Sequence, residues 1–262
     1  MSVVEKHAPG SFCWVELGTT DAKAAKAFYS ALFGWQPNDI PMGPAGVYTM
    51  LQVNGKDIGA LYELDKNMLE MGVPTHWMQY IAVANADDSA ARVKYLGGQV
   101  MKEPFDVFDA GRMAVVEDPT GAMFAIWQAN RSIGAQITGE LNTHCWSDLS
   151  SKDRARAQEF YTDLFSWEPR NQEDAPHQYT EIWNHGRPIG GMLQVDKDWG
   201  SVPSHWMPYF SVADCDAIAD KAKELGASLM VPPTDIANVG RFSIIHDPQG
   251  AVFAVIRLIG AQ

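Results

Sequence analysis

The sequence predicts an α+β fold of two tandem domains, each built from two β-α-β-β-β modules that form curved mixed sheets. The first observation is an internal repeat, because residues 13–35 return without a gap as residues 145–167. The second is that Pro74-Thr-His-Trp-Met returns as Pro203-Ser-His-Trp-Met, at nearly the same offset. A repeat this long indicates a duplicated domain rather than a solenoid of short units. We therefore predict domains over residues 8–130 and 139–259.

The first module is predicted from periodicity and stop signals. An apolar run predicts a strand over residues 12–17. Ala24, Phe28 and Leu32 recur at helical spacing, so a helix over 21–33 follows, and Gly34 ends it. Short segments punctuated by Gly and Pro then predict strands near 47–53 and 58–64.

The second module repeats this order. Alternation predicts a strand over 77–84, and a helix over 86–96 follows it. Strands are expected at Val100, 112–117 and 122–128, with Asp118-Pro-Thr-Gly as the turn of the last hairpin. The second half is predicted to have matching elements: helices over 153–165 and 216–225, a strand over 208–213 and a turn at 247–250.

Composition limits the classes of partner. The 262 residues include 20 Lys and Arg against 32 Asp and Glu, so the net charge is −12. An acidic surface repels phosphate backbones, so we expect no nucleic-acid partner. No apolar run approaches the ~18 residues of a membrane span, and the N-terminus lacks the pattern of a signal peptide. We expect a cytoplasmic protein without a membrane partner, either a monomer or a homodimer.

The paired modules, with Phe28-Tyr29 in the first helix and Asp118-Pro-Thr-Gly before the last strand, resemble the vicinal oxygen chelate superfamily. That superfamily includes glyoxalase I, bleomycin-resistance proteins and extradiol dioxygenases. Within it, the tandem arrangement resembles the glyoxalase-like antigen and hydroxylase group of actinobacteria. The resemblance implies two tandem glyoxalase-like domains, each with a curved sheet around one pocket.

The resemblance also implies where a divalent metal would bind, through side chains on the first, fourth, fifth and eighth strands of a domain. The fourth-strand positions, near residues 59–62 and 190–192, offer no carboxylate. The other positions hold indole, thioether and methyl groups, which are poor ligands for such an ion. These residues are Trp14, Met78 and Ala125, and in the second half Trp146, Met207 and Ala254. We therefore predict no metal and no other cofactor.

Four polar side chains are candidates for acid–base catalysis: Glu16, His76, Asp148 and His205. Alternation places Glu16 on the same strand face as Trp14, and Asp148 with Trp146. His144 is predicted on that face too, so His144, Asp148 and His205 are a candidate cluster for metal binding or acid–base chemistry. The alternative is structural, with both strand-entry histidines bonded to the backbone and both carboxylates at a pocket rim.

Aromatic and neighbouring side chains are the candidates for substrate binding, because a flat organic ligand needs an aromatic lining with few polar groups. The alternative is that the rings fill the cavity. Arg112 and Arg241 could hold an anionic substrate, or form salt bridges to Asp118 and Asp247. The complete set is Trp14, Trp77, Met78, Tyr80, Arg112, Trp127, Trp146, Trp206, Met207, Tyr209 and Arg241.

Three functions follow from these patterns. The first is metal-independent binding or conversion of a small molecule, such as an aldehyde, an aromatic or a polyketide-like compound; an enzyme of this kind would be a glyoxalase-like lyase or a hydroxylase. The second is sequestration of such a ligand without turnover, as in resistance proteins. The third is a metal-dependent lyase or dioxygenase with rearranged ligands. The two copies differ at some equivalent positions, for example where Glu117 of the first half is His246 in the second. One pocket alone could therefore be functional.

Overall fold

Each half of the protein is a curved, eight-stranded mixed sheet with helices on one face. The structure is a computed structural model that describes residues 3–172, 179–196 and 199–260. The elements of the first half are β1 (Phe12–Thr19), α1 (Ala22–Phe33), β2 (Gln36–Pro41), β3 (Val47–Val53), β4 (Lys56–Glu63), α2 (Lys66–Glu70), β5 (His76–Ala82), α3 (Ala86–Tyr95), β6 (Gln99–Val107), β7 (Gly111–Glu117) and β8 (Met123–Ala129).

The second half repeats the order of strands and long helices of the first. Its elements are β9 (His144–Ser151), α4 (Arg154–Phe165), β10 (Glu168–Asn171), β11 (Thr180–Asn184), β12 (Arg187–Gln194), β13 (His205–Ser211), α5 (Cys215–Glu224), β14 (Ser228–Ile236), β15 (Gly240–His246) and β16 (Val252–Leu258).

The strand order confirms the predicted pairing of modules. In the first sheet it is β2-β3-β4-β1-β5-β8-β7-β6, and the second sheet has the equivalent order. The first and fourth strands of each module run parallel, whereas β1 and β5 meet antiparallel at the centre of the sheet. The sequence analysis missed β2, a fully exposed edge strand. Pro37 and Pro41 interrupt its pattern, and an edge strand is where proline is tolerated.

The convex faces of the two sheets, with their helices, pack against each other. One core cluster joins α1 to β13 and β16, so that Phe33 packs against Phe210 and Phe253. The other joins β8 to α4, where Phe124 contacts Tyr161. Helices α1 and α4 therefore each pack against strands of the other half, and both concave faces point away from this shared core.

A bulge at the start of β1 and β9 corrects one prediction. The register between β1 and β5 shifts between Phe12 and Trp14, and the register between β9 and β13 shifts at the equivalent place. A bulge adds a residue and breaks the alternation of faces. His144 consequently lies on the convex side, where its ring contacts Phe12, and not beside Asp148 as predicted.

Within the described part of the chain, no helix is long and apolar enough to cross a membrane.

Candidate functional site

The concave face of each sheet carries aromatic and thioether side chains around one carboxylate. In the first half, Glu16 of β1 pairs with Met78 of β5, and Trp14 pairs with Tyr80. Tyr80 in turn pairs with Ala125 of β8. Directly paired residues project to the same face of a sheet, so these five side chains are neighbours.

Glu16 is held by two phenols. The hydroxyl of Tyr48, on β3, donates to Glu16 Oε2 at 2.6 Å, and the hydroxyl of Tyr80 donates to Oε1 at 3.0 Å. The indole Nε1 of Trp14 donates to the Tyr48 hydroxyl at 3.3 Å. The residue at the family's first metal position thus donates a hydrogen bond instead of offering a lone pair.

The second half repeats this arrangement around Asp148. The Tyr179 hydroxyl donates to Asp148 Oδ1 at 2.8 Å, and Trp146 Nε1 donates to the same oxygen at 3.0 Å and to Tyr179 at 3.0 Å. Tyr209 also donates to the Asp148 carboxylate. The same four-residue set therefore occurs in both copies, with Glu in one and Asp in the other.

Burial dominates the electrostatics of both sites. It raises the pKa of Glu16 and the pKa of Asp148 above their ordinary values, and the hydrogen bonds from the phenols oppose that shift. Burial and the nearby carboxylate raise the pKa of Tyr48 and Tyr80 well above the usual range, so both phenols remain protonated donors. Among the described residues, neither carboxylate has an ion-pair partner. A buried carboxylate without a counter-ion is a typical acid–base group.

The side chains at the centre of the first concave face are buried, whereas those at its side are partly exposed to solvent. Trp14, Tyr80 and Trp127 are each less than a tenth exposed, and Trp127 Nε1 donates to the carbonyl of Ser132 at 3.0 Å. Tyr48 and Met78 are half-buried.

The two strand-entry histidines lie at the rim and are bonded to the backbone. His76 Nδ1 lies 2.8 Å from the carbonyl oxygen of Pro74, and His205 Nδ1 lies 2.9 Å from that of Pro203. This is the arrangement that the structural alternative predicts. Neither histidine has a side-chain hydrogen bond to the carboxylate of its own half among the described contacts. The predicted cluster of His144, Asp148 and His205 is therefore not assembled.

Trp77 and Trp206 lie on the opposite face from the predicted aromatic and thioether residues of the concave face, which are Trp14, Met78, Tyr80, Trp127, Trp146, Met207 and Tyr209. Trp77 Nε1 donates to the Tyr29 hydroxyl at 3.1 Å, and Trp206 Nε1 donates to the Tyr161 hydroxyl at 2.8 Å. Both indoles are buried in the core between the halves. Strand alternation explains the placement, because Trp77 is adjacent in sequence to Met78 and so projects to the other face.

Arg112 and Arg241 are engaged at the surface. Arg112 makes a bidentate contact to Asp87, with distances of 2.7 and 2.8 Å, and Arg241 makes the equivalent contact to Asp216 at 2.7 and 2.9 Å. Neither arginine pairs with Asp118 or Asp247, which were the predicted partners. These pairs tie helices α3 and α5 to the neighbouring strands.

The residues at the family's metal positions do not fit a divalent ion. Trp14, Met78 and Ala125 lie close together, as the resemblance implies, and they provide no hard ligand. Within residues 3–172, 179–196 and 199–260, no group of three or more His, Cys, Asp or Glu side chains is arranged to hold a metal.

The sequence analysis missed Tyr48 and Tyr179, the phenols that hold the two carboxylates. The signal was present, because Tyr48-Thr49 and Tyr179-Thr180 are themselves a matching pair within the repeat. Each Tyr precedes a buried Thr at the start of its strand, so alternation directs it to the concave face.

Paired β-α-β-β-β modules with an inward-facing polar centre define a class of small-molecule-binding proteins. The sequence profile of the Glyoxalase/Bleomycin resistance protein/Dioxygenase superfamily matches residues 11–126 and 144–255. The chain therefore belongs to this superfamily, as its sequence motifs predicted.

Two relatives and one solved structure illustrate the range of this superfamily. The chain is 40% identical to "Putative glyoxylase CFP32" of Mycobacterium bovis, covering 96% of both chains. It is 35% identical to the anthracycline biosynthesis protein DauV of Streptomyces sp. strain C5, covering 97% of this chain and 95% of that one. The Mn(II)-bound glyoxalase of Novosphingobium aromaticivorans has the same fold, with a TM-score of 0.65 at 18% identity, over 95% of this chain and 82% of that one.

Proposed function

We propose that this protein binds a flat aromatic molecule on its concave faces and converts it by metal-independent acid–base chemistry. The supporting observation is the set of Trp, carboxylate and two Tyr side chains that occurs in both halves. Aromatic rings provide the apolar contact area, and a buried carboxylate accepts a hydrogen bond or a proton from a ligand hydroxyl. A relative named for anthracycline biosynthesis supports a polyketide-like aromatic ligand.

In this proposal Glu16 and Asp148 are the acceptor groups. Tyr48 and Tyr179 orient the carboxylates, and Trp14 and Trp146 contact the ligand rings. His76 and His205 lie at the rim, where they would contact only a substituent of the ligand. A raised carboxylate pKa brings a base closer to neutral pH, where proton transfer is most effective.

The first test is binding. A panel of naphthols and hydroxyanthraquinones is titrated into the full chain while tryptophan fluorescence is recorded, and saturable quenching is expected. Glu16→Gln and Asp148→Asn each retain side-chain size but accept fewer hydrogen bonds, so each should weaken binding of hydroxylated ligands by about tenfold at one site. Glu70→Gln, at an exposed position of α2, is the matched control. Unchanged affinity in both site variants would contradict the proposal.

Sequestration without turnover is the second candidate, and the phenol hydrogen bond that each Glu16 oxygen already accepts favours it, because these bonds stabilise the carboxylate and make it a weaker base. Product analysis by mass spectrometry separates the two candidates. Conversion that is lost in Glu16→Gln or Asp148→Asn supports an enzyme, whereas tight binding without conversion in the wild type supports sequestration. Stoichiometric Mn, Fe, Ni or Zn in protein purified without an affinity tag would instead support a metal-dependent enzyme.

A further inference from the structure

The two concave faces differ along one row of residues at the rim, which crosses three neighbouring strands. In the first half, Tyr62 of β4 pairs with Gly18 of β1, which pairs with His76 of β5. In the second half the phenol is lost and the glycine is replaced by a residue with a side chain. The equivalent residues, in the same order, are Leu193, Ser150 and His205.

The glycine of this row brings a phenol and an imidazole together. A Cβ atom on Gly18 would lie 3.0 Å from the Tyr62 hydroxyl and 3.1 Å from His76 Cε1, so both groups lie over the same stretch of backbone. Gly18 follows Glu16 by two residues on β1 and therefore faces the same side of the sheet. Two residues of a strand span roughly 7 Å, so this row forms a second polar centre at about that distance along β1 from Glu16.

The polar atoms of this second centre are accessible. His76 Nδ1 lies 2.8 Å from the Pro74 carbonyl oxygen, which only accepts, so Nδ1 carries a proton and Nε2 of the neutral ring has a free lone pair. In the described part of the chain, neither the Tyr62 hydroxyl nor His76 Nε2 has a hydrogen-bond partner, and neither is a buried atom. Both atoms therefore reach solvent at the rim, and neither is already satisfied by the protein.

We infer that Tyr62 and His76 determine specificity at the first concave face, which prefers an aromatic ligand with a second hydroxyl group. A hydroxyl both accepts and donates, so it accepts from Tyr62 and donates to His76 while the first hydroxyl of the ligand bonds to Glu16. At the second face Leu193 offers apolar contact instead, so an alkyl substituent is preferred there. This inference depends on the proposed function, because it assigns ligand substituents to the same two faces.

The test compares two ligands of one shape, 2,6-dihydroxynaphthalene and 6-methyl-2-naphthol, by calorimetric titration of the full chain. One site is expected to bind the diol more tightly, and the other the methyl compound. Tyr62→Phe should weaken binding of the diol about tenfold and leave binding of the methyl compound unchanged. The matched control is Tyr95→Phe, which removes the same hydroxyl from an exposed position of α3.

A second variant tests the glycine without removing either polar group. In Gly18→Ala the added Cβ displaces the phenol and the imidazole, so the diol should bind more weakly while the methyl compound retains its affinity. The atoms that this Cβ would meet are the ends of the side chains of Leu64, Tyr62 and His76, which can move aside. Urea unfolding of each variant verifies that the fold is retained.

The outcomes separate this inference from the function on which it depends. Binding of both compounds with equal affinity at each site, or equal effects of Tyr62→Phe and Tyr95→Phe on the diol, would refute the specificity and leave the proposed function intact. Failure of both compounds and of the wider aromatic panel to bind would refute both. The reciprocal double variant, Leu193→Tyr with Ser150→Gly, should create a preference for the diol at the second face, and no such gain would also count against the inference.

Discussion

The carboxylates Glu16 and Asp148 differ by one methylene, and this difference changes which part of each site is covered. Asp148 is 6% exposed and its neighbour Trp146 is half-buried, whereas Glu16 is half-buried and Trp14 is covered. Tyrosine hydroxyls donate to the carboxylate in both halves, so the two copies keep the same kind of donor around carboxylates of different exposure.

His144 provides a residue-level prediction of pH dependence. Burial lowers its pKa to about 4, and its Nε2 lies 2.9 Å from Ser147 Oγ. A base with a lowered pKa stabilises the fold above its unfolded-state pKa, and this stability is lost as the pH falls towards the folded-state value. Wild type should therefore lose up to about 3 kcal/mol of unfolding free energy between pH ~6.5 and pH ~4 through this group alone.

His144→Phe, which places the first-half residue at this position, should reduce that loss. The measurement is urea unfolding at a series of pH values. His185→Asn is the matched control, because His185 lies in a surface hairpin where its counterpart in the first half is Asn54. Equal pH dependence of wild type and His144→Phe would show that the imidazole is not buried in solution.

At the level of elements, sequence patterns predicted the helices well and the strand ends less well. The helix α1 was predicted over 21–33 and spans Ala22–Phe33: Asp21 is its N-cap, accepting from Ala24 N at 2.9 Å, and Gly34 ends it as predicted. The bulges in β1 and β9 were not predictable from alternation, because an extra residue has no signature in the sequence. Strict alternation therefore placed His144 of β9 on the wrong face. Strand β2 was missed because an exposed edge needs no apolar face.

The C-terminal ends of α1 and α4 give a matched pair for the next prediction. Gly34 ends α1 with φ 76°, and Ser166 ends α4 with φ 59°. A left-handed residue with a Cβ atom is disfavoured by about 1 kcal/mol. Ser166→Gly should therefore stabilise the protein by about that amount, and Gly34→Ser should destabilise it similarly, both measured by urea unfolding. A change of the same sign in both variants would contradict this explanation.

At the level of the whole molecule, the repeat predicts two domains but not how they pack. Nothing in a single copy shows which face of its sheet meets the other copy. The aromatic residues were therefore predicted to line a single pocket in each half. In the structure they form two separate groups on opposite faces of the sheet. Trp14 and Tyr80 lie on the concave face, and Trp77 lies with Tyr29 between the halves. Alternation along β5 separates these sets, and applying it more strictly would have excluded Trp77 and Trp206.

The packing between the halves includes a buried polar contact in each direction. The Tyr29 hydroxyl donates to Asp247 Oδ2 at 2.8 Å, and the equivalent Tyr161 hydroxyl accepts from Trp206 Nε1 at 2.8 Å and lies near the Asp118 carboxylate. Burial and this carboxylate raise the pKa of Tyr161. Asp247 Oδ1 also accepts three backbone amides of its own turn, at 2.7–2.9 Å. Each phenol therefore connects a helix of one half to the last hairpin of the other half.

Because both core clusters between the halves contain residues of each half, the two halves should unfold as one cooperative unit. Tyr29→Phe removes the hydroxyl from a buried acceptor and a buried indole donor, so it should lower the unfolding free energy by about 1–3 kcal/mol. Its effect should extend to both halves, seen as reduced hydrogen-exchange protection in β1 and in β16 alike. Tyr161→Phe should do the same, whereas Tyr95→Phe, at a position 79% exposed, should change neither. Loss of protection confined to one half would mean that the halves are stable independently.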